Sequence, residues 1–583
     1  MGSISTGYSI PIEAQKLFQD GILGNPLMAN LPPDIQNLGA LVHFEGNLTP
    51  SIPINWRLAE SISALKAFEA TLVNAILKRR YGVDAVQVTI NTDHASLFVM
   101  SIPLARIRAD DGSILPLSAM NPSTCKPYAA DERPASESFH RMLATGIYRT
   151  RDDRFYHIHG SLNSDPTLTA LGLPLEGEPE DTYDAAVARI RNKVREFDAP
   201  ALDDLMNNQY RQAGTTVMSA EEYLATPHAR ANAKAGLYEI VRDAASSQPP
   251  SWWPSSSHNT NTSSSSPPRP SCRPLAGLKV VDLTRVIAGP TITRGLAELG
   301  ASVMRITSPH VVDWPRAFHD LNWGKWNAFL HLKDEADREK LRGLIREADV
   351  VVDGYRPGVM ERLGFGREDV FKLVRGRDRG IVHLRENCYG WRGPWAGRSG
   401  WQGISDACCG VASGFGRAMG LDEPVIPPFP NSDHCTGAIG CSGILHALIR
   451  RAEDGGSYGV DTALNYYSQW LICTCGSYPA DVWEEVWKKN GRPVFRHWQN
   501  TRTTFPAMVN LFHEHSANVL LNPSFFEERR SEAVGTTFIR VKPIAQYADD
   551  AVQLTYNVGC RGNGLDEARW PGDLTVEIVR SDE

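Results

Sequence analysis

The chain reads as an α/β protein, a Rossmann-like parallel-sheet domain joined to a smaller α+β domain, and three observations predict this. The apolar run Leu278 to Thr284 turns through Arg285-Val-Ile-Ala-Gly-Pro290 into a segment whose Leu296 and Leu299 share one helix face, closed by Gly300. Ala301 to Ile306 then resumes as a strand, and strand, helix and strand in succession is the order that builds parallel sheets. At 583 residues the chain exceeds what one core usually supports, so two or three domains are expected. Residues 244–274 mark a division, because Ser, Pro, Thr and Asn dominate there and bury too little apolar area to offset the entropy of ordering. That stretch is expected to be a mobile linker between residues 1–243 and 275–583, with 275–470 forming the parallel-sheet domain and 471–583 completing the fold.

Taken in order, Ser63 to Arg80 predicts an amphipathic helix, followed by Tyr81-Gly-Val-Asp, a strand at Val86 to Ile90 and a helix from His94 to Met100. Tyr148 to His159 predicts two strands joined by a polar turn at Asp152-Asp153. In the second half, Gly437 to Arg451 predicts an apolar helix, then a strand from Tyr458-Gly-Val-Asp to Leu464 and a helix from Tyr466. Helix, Tyr-Gly-Val-Asp strand and helix thus occur twice, which points to an internal repeat whose first copy is partial. The turn after Leu283 is open, glycine-bearing and flanked by arginines, a setting in which α/β sheets bind phosphorylated ligands, although no Gly-x-Gly-x-x-Gly is present.

A formal charge of −7 offers no general basic surface for nucleic acid. The ten cysteines are unevenly spaced; Cys408-Cys409 and Cys473-x-Cys475 lack a second pair at zinc-finger spacing and read as reduced thiols. His157 and His159 alternate on one strand face without a third ligand in view, so no metal site is expected. There is no apolar run long enough for a transmembrane helix and no signal-peptide core, so a soluble, cytoplasmic protein without a membrane partner is expected. Gly2 and Thr6 fit a myristoylation pattern only formally, and Ser-Asp-Glu at the end is not a peroxisomal tail.

Four motifs occur in a family's order: Ala276-Gly-Leu-Lys-Val-Val-Asp-Leu-Thr-Arg-Val-Ile-Ala-Gly-Pro290, Asn322-Trp-Gly-Lys325, Ala348 to Gly364 with its Tyr355-Arg-Pro-Gly, and Gly390-x-x-Gly-Pro-x-x-x-Arg398-x-Gly400. Together they resemble the family III coenzyme A transferases, the CaiB/BaiF group. The resemblance implies interlocked rings in which each chain threads through a partner, with a homodimer as the quaternary expectation; a fused pair of halves would build both sides of one cleft. It also matches the Tyr148 to His159 strands to the family's small-domain hairpin, and Ala201 to Ala235 to the helical segment after it.

By motif position the resemblance assigns the nucleophile to Asp433, which follows Pro424, Pro427, Pro428 and Pro430 and precedes the apolar helix. Asp433 equally suits a helix cap. It assigns coenzyme A binding to Arg285, Ala288, Arg305, Lys325 and Arg356, the arginine fork being matched to phosphate, while each arginine alternatively serves as a surface charge or sheet-edge ion pair. The implied activity is transfer of coenzyme A between an acyl thioester and a carboxylic acid, with coenzyme A as co-substrate and no tightly bound cofactor. The alternatives are an acyl-CoA racemase or epimerase relative, or a non-catalytic acyl-CoA-binding relative. Racemases of this kind place a histidine where this chain has Trp401, which cannot exchange a proton. Asp406 and His434 read as satisfied polar residues, Gly410, Gly414, Gly416 and Gly420 as cleft lining or turns, and Glu60 falls near the Asp433 position of the first copy.

Overall fold

A computed structural model describes residues 7–28, 30–117, 138–254 and 272–580. The myristoylation pattern, residues 255–271 of the expected linker and the last three residues lie outside the described residues.

Seven strands form the central sheet: β1 (Tyr238–Arg242), β2 (Lys279–Leu283), β3 (Ser302–Thr307), β4 (Lys325–Phe329), β5 (Val350–Asp353), β6 (Val382–Asn387) and β7 (Tyr458–Ala463). Their order is β4-β3-β2-β5-β6-β7-β1, parallel throughout except that β1 runs antiparallel to β7. A parallel sheet covered on both faces needs apolar residues on both, and Val350-Val-Val352 supplies them. Val280, Val350, Val352, Val382 and Leu384 face one core, while Val281, Leu283, Met304, Ile306 and Val351 face a second, covered by helices Glu335–Glu347 and Arg367–Val374.

On the first face lie α1 (Leu58–Tyr81), α2 (Ala288–Glu298) and α3 (Asn431–Asp454), with α3 in contact with both others. The sequence reading of α1 as amphipathic does not hold, because every residue from Leu58 to Leu77 is buried. Helix Ile10–Phe18 packs on it as well as α3, so it is an interior helix, polar groups included.

The two halves are stitched together by strand pairing. Tyr238–Arg242, from the first half, forms the last strand of the main sheet, and Arg106–Arg108 pairs with Thr536–Val541 while Val88–Asn91 pairs with Ala545–Tyr547. The expected hairpin occurs as Gly146–Arg149 and Phe155–Ile158, extended by Gly214–Thr216. That third strand interrupts the segment from Ala201 to Ala235, which is therefore not helical throughout. Nor is the start of the expected linker loose: Ser246 and Gln248 are buried, and Trp253 donates from Nε1 to the Ala276 carbonyl at 2.9 Å under the Arg80 guanidinium.

Candidate active site

The chain moves outward from β2 through β3 to β4, then returns to β5 on the other side of β2. Loops leaving β2 and β5 therefore diverge, and the crevice between them is where open α/β sheets take ligands. Thr284 and Arg285 follow β2; Gly354, Tyr355 and Arg356 follow β5. Gly354 brings the two loops and β6 close together, since a Cβ on it would lie 3.3 Å from the Thr284 methyl and 3.5 Å from a Glu386 carboxyl oxygen.

One side of the crevice is cationic. Arg285 is half-buried, its Nε is enclosed without a partner, and among the described residues its guanidinium has no hydrogen bond; burial holds its pKa below the usual value. Arg356 is exposed and donates from Nη1 to the Arg211 carbonyl at 3.1 Å. Two other expected binding residues point elsewhere. Arg305, 1% exposed, donates to Asp313 at 2.6 Å and to Asn563 at 2.7 Å, so its charge is already matched inside the fold. Lys325 is fully buried, with Nζ donating to Asp282 at 3.0 Å and the Pro290 carbonyl at 2.9 Å, and burial pushes its pKa down to about 8. It pins the first turn of α2 from beneath instead of meeting a ligand. Ala288 is the buried first residue of α2, at the head of that turn.

The other side is anionic. Asp433 is the third residue of α3, 9% exposed, and neither caps the helix nor accepts any hydrogen bond among the described residues. Capping therefore does not account for an aspartate there. Burial pushes its carboxyl up to about 7. Glu386, at the end of β6, is pushed up to about 8 by burial first and then by the charges of Asp433 and Asp353. Asp353 is itself raised to about 7 by burial, and Asp406, bonded by Gln402, is raised further, again chiefly by burial. Sequence reasoning missed Glu386, for which the available signal was one acidic residue closing the apolar run from Ile381.

His434 departs from the expectation of a satisfied residue: it is fully buried, neither ring nitrogen has a partner among the described residues, and burial takes its pKa down to about 3. Trp401 donates from Nε1 to Ser161 at 3.1 Å and stacks on His159 with ring centroids 5.1 Å apart, so the hairpin of the first half fixes it. His157 bonds through Nδ1 to the Ile158 carbonyl at 2.7 Å. Gly410 and Gly420, both left-handed, bracket helix Val411–Ala418, and the Trp56 indole packs on Gly414. That run shapes a turn and a packing face. A cavity of about 280 Å³ lined by Lys279, Arg346, Asp349 and Arg379 lies at the opposite ends of β2 and β5, away from Asp433.

The family model for CoA-transferase family III matches residues 275–491. The acetyl-coenzyme A transferase nodX of Hypoxylon pulicicidum is 53% identical over 582 residues, covering 99% of this chain and 96% of its own. An acyl-CoA transferase of Gibberella moniliformis is 34% identical over 73% of both chains. Among solved structures, a CAIB/BAIF family protein from Brucella suis is 28% identical, covering 34% of this chain and 55% of that one with a TM-score of 0.30. With arginines and carboxylates at the mouth of its sheet and a relative alike over nearly its whole length, this chain belongs to CoA-transferase family III and is a CoA-transferase.

Proposed function

We propose that Asp433 is the nucleophile of this transferase and that the crevice between β2 and β5 holds coenzyme A. The observation that carries the reading is a buried aspartate in the first turn of α3 that accepts no hydrogen bond among the described residues, while Arg285 and Arg356, neither in a carboxylate ion pair among those residues, follow the neighbouring strands. An Asp433 oxygen attacks the acyl carbonyl, the C–S bond breaks, and coenzyme A leaves as thiolate, giving a mixed anhydride. The thiolate then attacks the Asp433 carbonyl carbon, releasing the donor acid as carboxylate and leaving an enzyme thioester. An acceptor carboxylate repeats these steps in reverse, with no net proton taken or released. The partial positive charge at the head of α3 favours the oxyanions formed on the way. Acetyl-CoA, named in the 53% identical relative, is the donor to try first.

The architecture we infer is a fused pair. α1 and α3 are both 24 residues long, each ends at a glycine, and each leads into a strand and then a helix, which supports a partial repeat. Residues 1–243 then supply a wall of the cleft through Trp56, His159 and Ser161, in the manner of an interlocked partner. The test of the catalytic reading is Asp433→Asn: with a verified acyl-CoA and acceptor acid, turnover should fall by at least about a thousandfold while coenzyme A still binds. Near-normal turnover would remove Asp433 from the chemistry.

A further inference from the structure

We propose that Arg211, contributed by residues 1–243, closes the anion site with Arg285 and Arg356 and takes a phosphate group of coenzyme A. This rests on the coenzyme A reading of the crevice and adds to it a ligand from the other half of the chain. Arg211 lies between the turn Leu205–Gln209 and the strand Gly214–Thr216. Its loop is pinned on both sides, by the Gln212 amide donating to the Met206 carbonyl at 2.7 Å and the His159 amide donating to the Ala213 carbonyl at 3.2 Å. Within that frame Arg211 has φ of 53°, a left-handed backbone that a glycine adopts freely and an arginine adopts against strain. Its carbonyl receives Nη1 of Arg356 at 3.1 Å, which brings two guanidinium-bearing residues from different halves together.

Charge makes the cluster unusual. Burial first, and then the charges of Arg285 and Arg211, disfavour the protonated form of Arg356, and among the described residues none of the three has a carboxylate ion pair. The nearby acid, Asp313, is ion-paired with Arg305, and its charge also favours the protonated form of Arg285 without a hydrogen bond to it among the described residues. Like charges placed together repel unless an anion lies among them, and three planar donors are matched to the oxygens of a phosphate. A reading as solvated surface charge fails for Arg285, whose Nε is enclosed. The left-handed backbone at Arg211 adds that an arginine stands where glycine fits better.

The test is calorimetric titration of the full chain with coenzyme A, dephospho-coenzyme A and pantetheine, for wild type, Arg211→Gly and Arg211→Lys. Glycine suits the backbone, so its melting temperature should equal or exceed wild type, separating charge from folding. Arg211→Gly should weaken coenzyme A about tenfold and leave pantetheine unchanged, with Arg211→Lys in between. The same loss with dephospho-coenzyme A assigns Arg211 to the diphosphate, and its disappearance there assigns it to the 3′-phosphate. Unchanged coenzyme A affinity in Arg211→Gly, or equal losses for coenzyme A and pantetheine, would overturn the proposal. Failure of the wild type to bind coenzyme A at all would instead remove the reading on which it stands, and the proposal with it.

Discussion

Glu60 and Asp433 occupy the same place on two helices that pack together: each is the third residue of a 24-residue helix, α1 and α3. Their surroundings are opposite. Glu60 is fully enclosed, with the hydroxyls of Tyr8 and Tyr478 donating to its carboxylate and Arg57 at 3.7 Å, whereas Asp433 has no bonded partner among the described residues. Three side chains from separate segments thus seal the first position, whereas the second is left without a bonded partner among the described residues.

Glu60→Gln should therefore leave turnover within about twofold of wild type, because the amide keeps the shape and never meets substrate. Steady-state kinetics with a verified acyl pair checks this. A loss as large as that of Asp433→Asn would give the first position a role in chemistry.

The pH dependence follows from two of the raised carboxyls, Asp433 and Glu386. Asp433 must be ionised to attack and is held up to about 7, so kcat/KM should rise with pH through about 7. Glu386, raised to about 8, adds a second charge beside Asp433 when it ionises, and the rate should decline above that pH. Because the carboxyls titrate together, the two limbs belong to the cluster. Glu386→Gln should remove the upper limb and keep the lower one. A variant profile identical to wild type would dissociate Glu386 from the reaction.

The same burial has a stability cost. A carboxyl whose folded pKa lies above its unfolded value binds more protons when folded, so stability is greatest below the unfolded pKa near 4 and is lost as pH rises toward about 7. Asp433→Asn should therefore stabilise the protein at pH 8, by about 1–3 kcal/mol, and far less at pH 4. Melting curves at the two pH values decide it, and equal shifts at both would contradict the buried-charge account.

Arginines and lysine should separate by function. Arg356→Ala should cost about 1.5–3 kcal/mol of coenzyme A affinity with little change in melting. Lys325→Met should instead lower stability by about 3–5 kcal/mol, because Asp282 is left charged and buried with only the Thr284 and Thr293 hydroxyls and no ion-pair partner. Calorimetry and thermal unfolding distinguish the two, and the reverse pattern would restore Lys325 to the site.

Residues 275–583 expressed alone should aggregate or lose acyl-CoA binding. They lack β1, the partner of β7, and leave uncovered the face of α3 that α1 buries. Cutting the chain within 255–271 should do little, since paired strands and packed helices join the halves. A soluble, fully active fragment would contradict the fused-pair architecture.

Much of the site was legible because its residues stand at ends of strongly patterned elements. Val280 to Leu283 announces β2 by its apolar run, Gly300 ends the following helix, and Asp433 follows a proline-rich loop in the first turn of an apolar helix. The strands after Leu278 fell within a residue or two for that reason, whereas α3 begins at Asn431, six residues before the expected Gly437, and α1 at Leu58, five before Ser63. What could not be read depended on partners distant in sequence. Lys325 stands in a family motif, yet only the fold shows Asp282 and Pro290 closing over it. Glu386 acquires meaning from Asp433 and Asp353, each on another element, and Arg211 from Arg356 across the two halves. α1 looked amphipathic because Lys66, Glu69 and Asn74 are polar, but all three are buried and bonded inside.

The most direct measurement is peptide mapping by mass spectrometry after incubation with an acyl-CoA and trapping of the acyl-enzyme with hydroxylamine. The account predicts one modified site per chain, on the peptide carrying Asp433, unaffected by Glu60→Gln and absent in Asp433→Asn. Modification elsewhere, on Glu60, a cysteine or any residue that persists in Asp433→Asn, would contradict it.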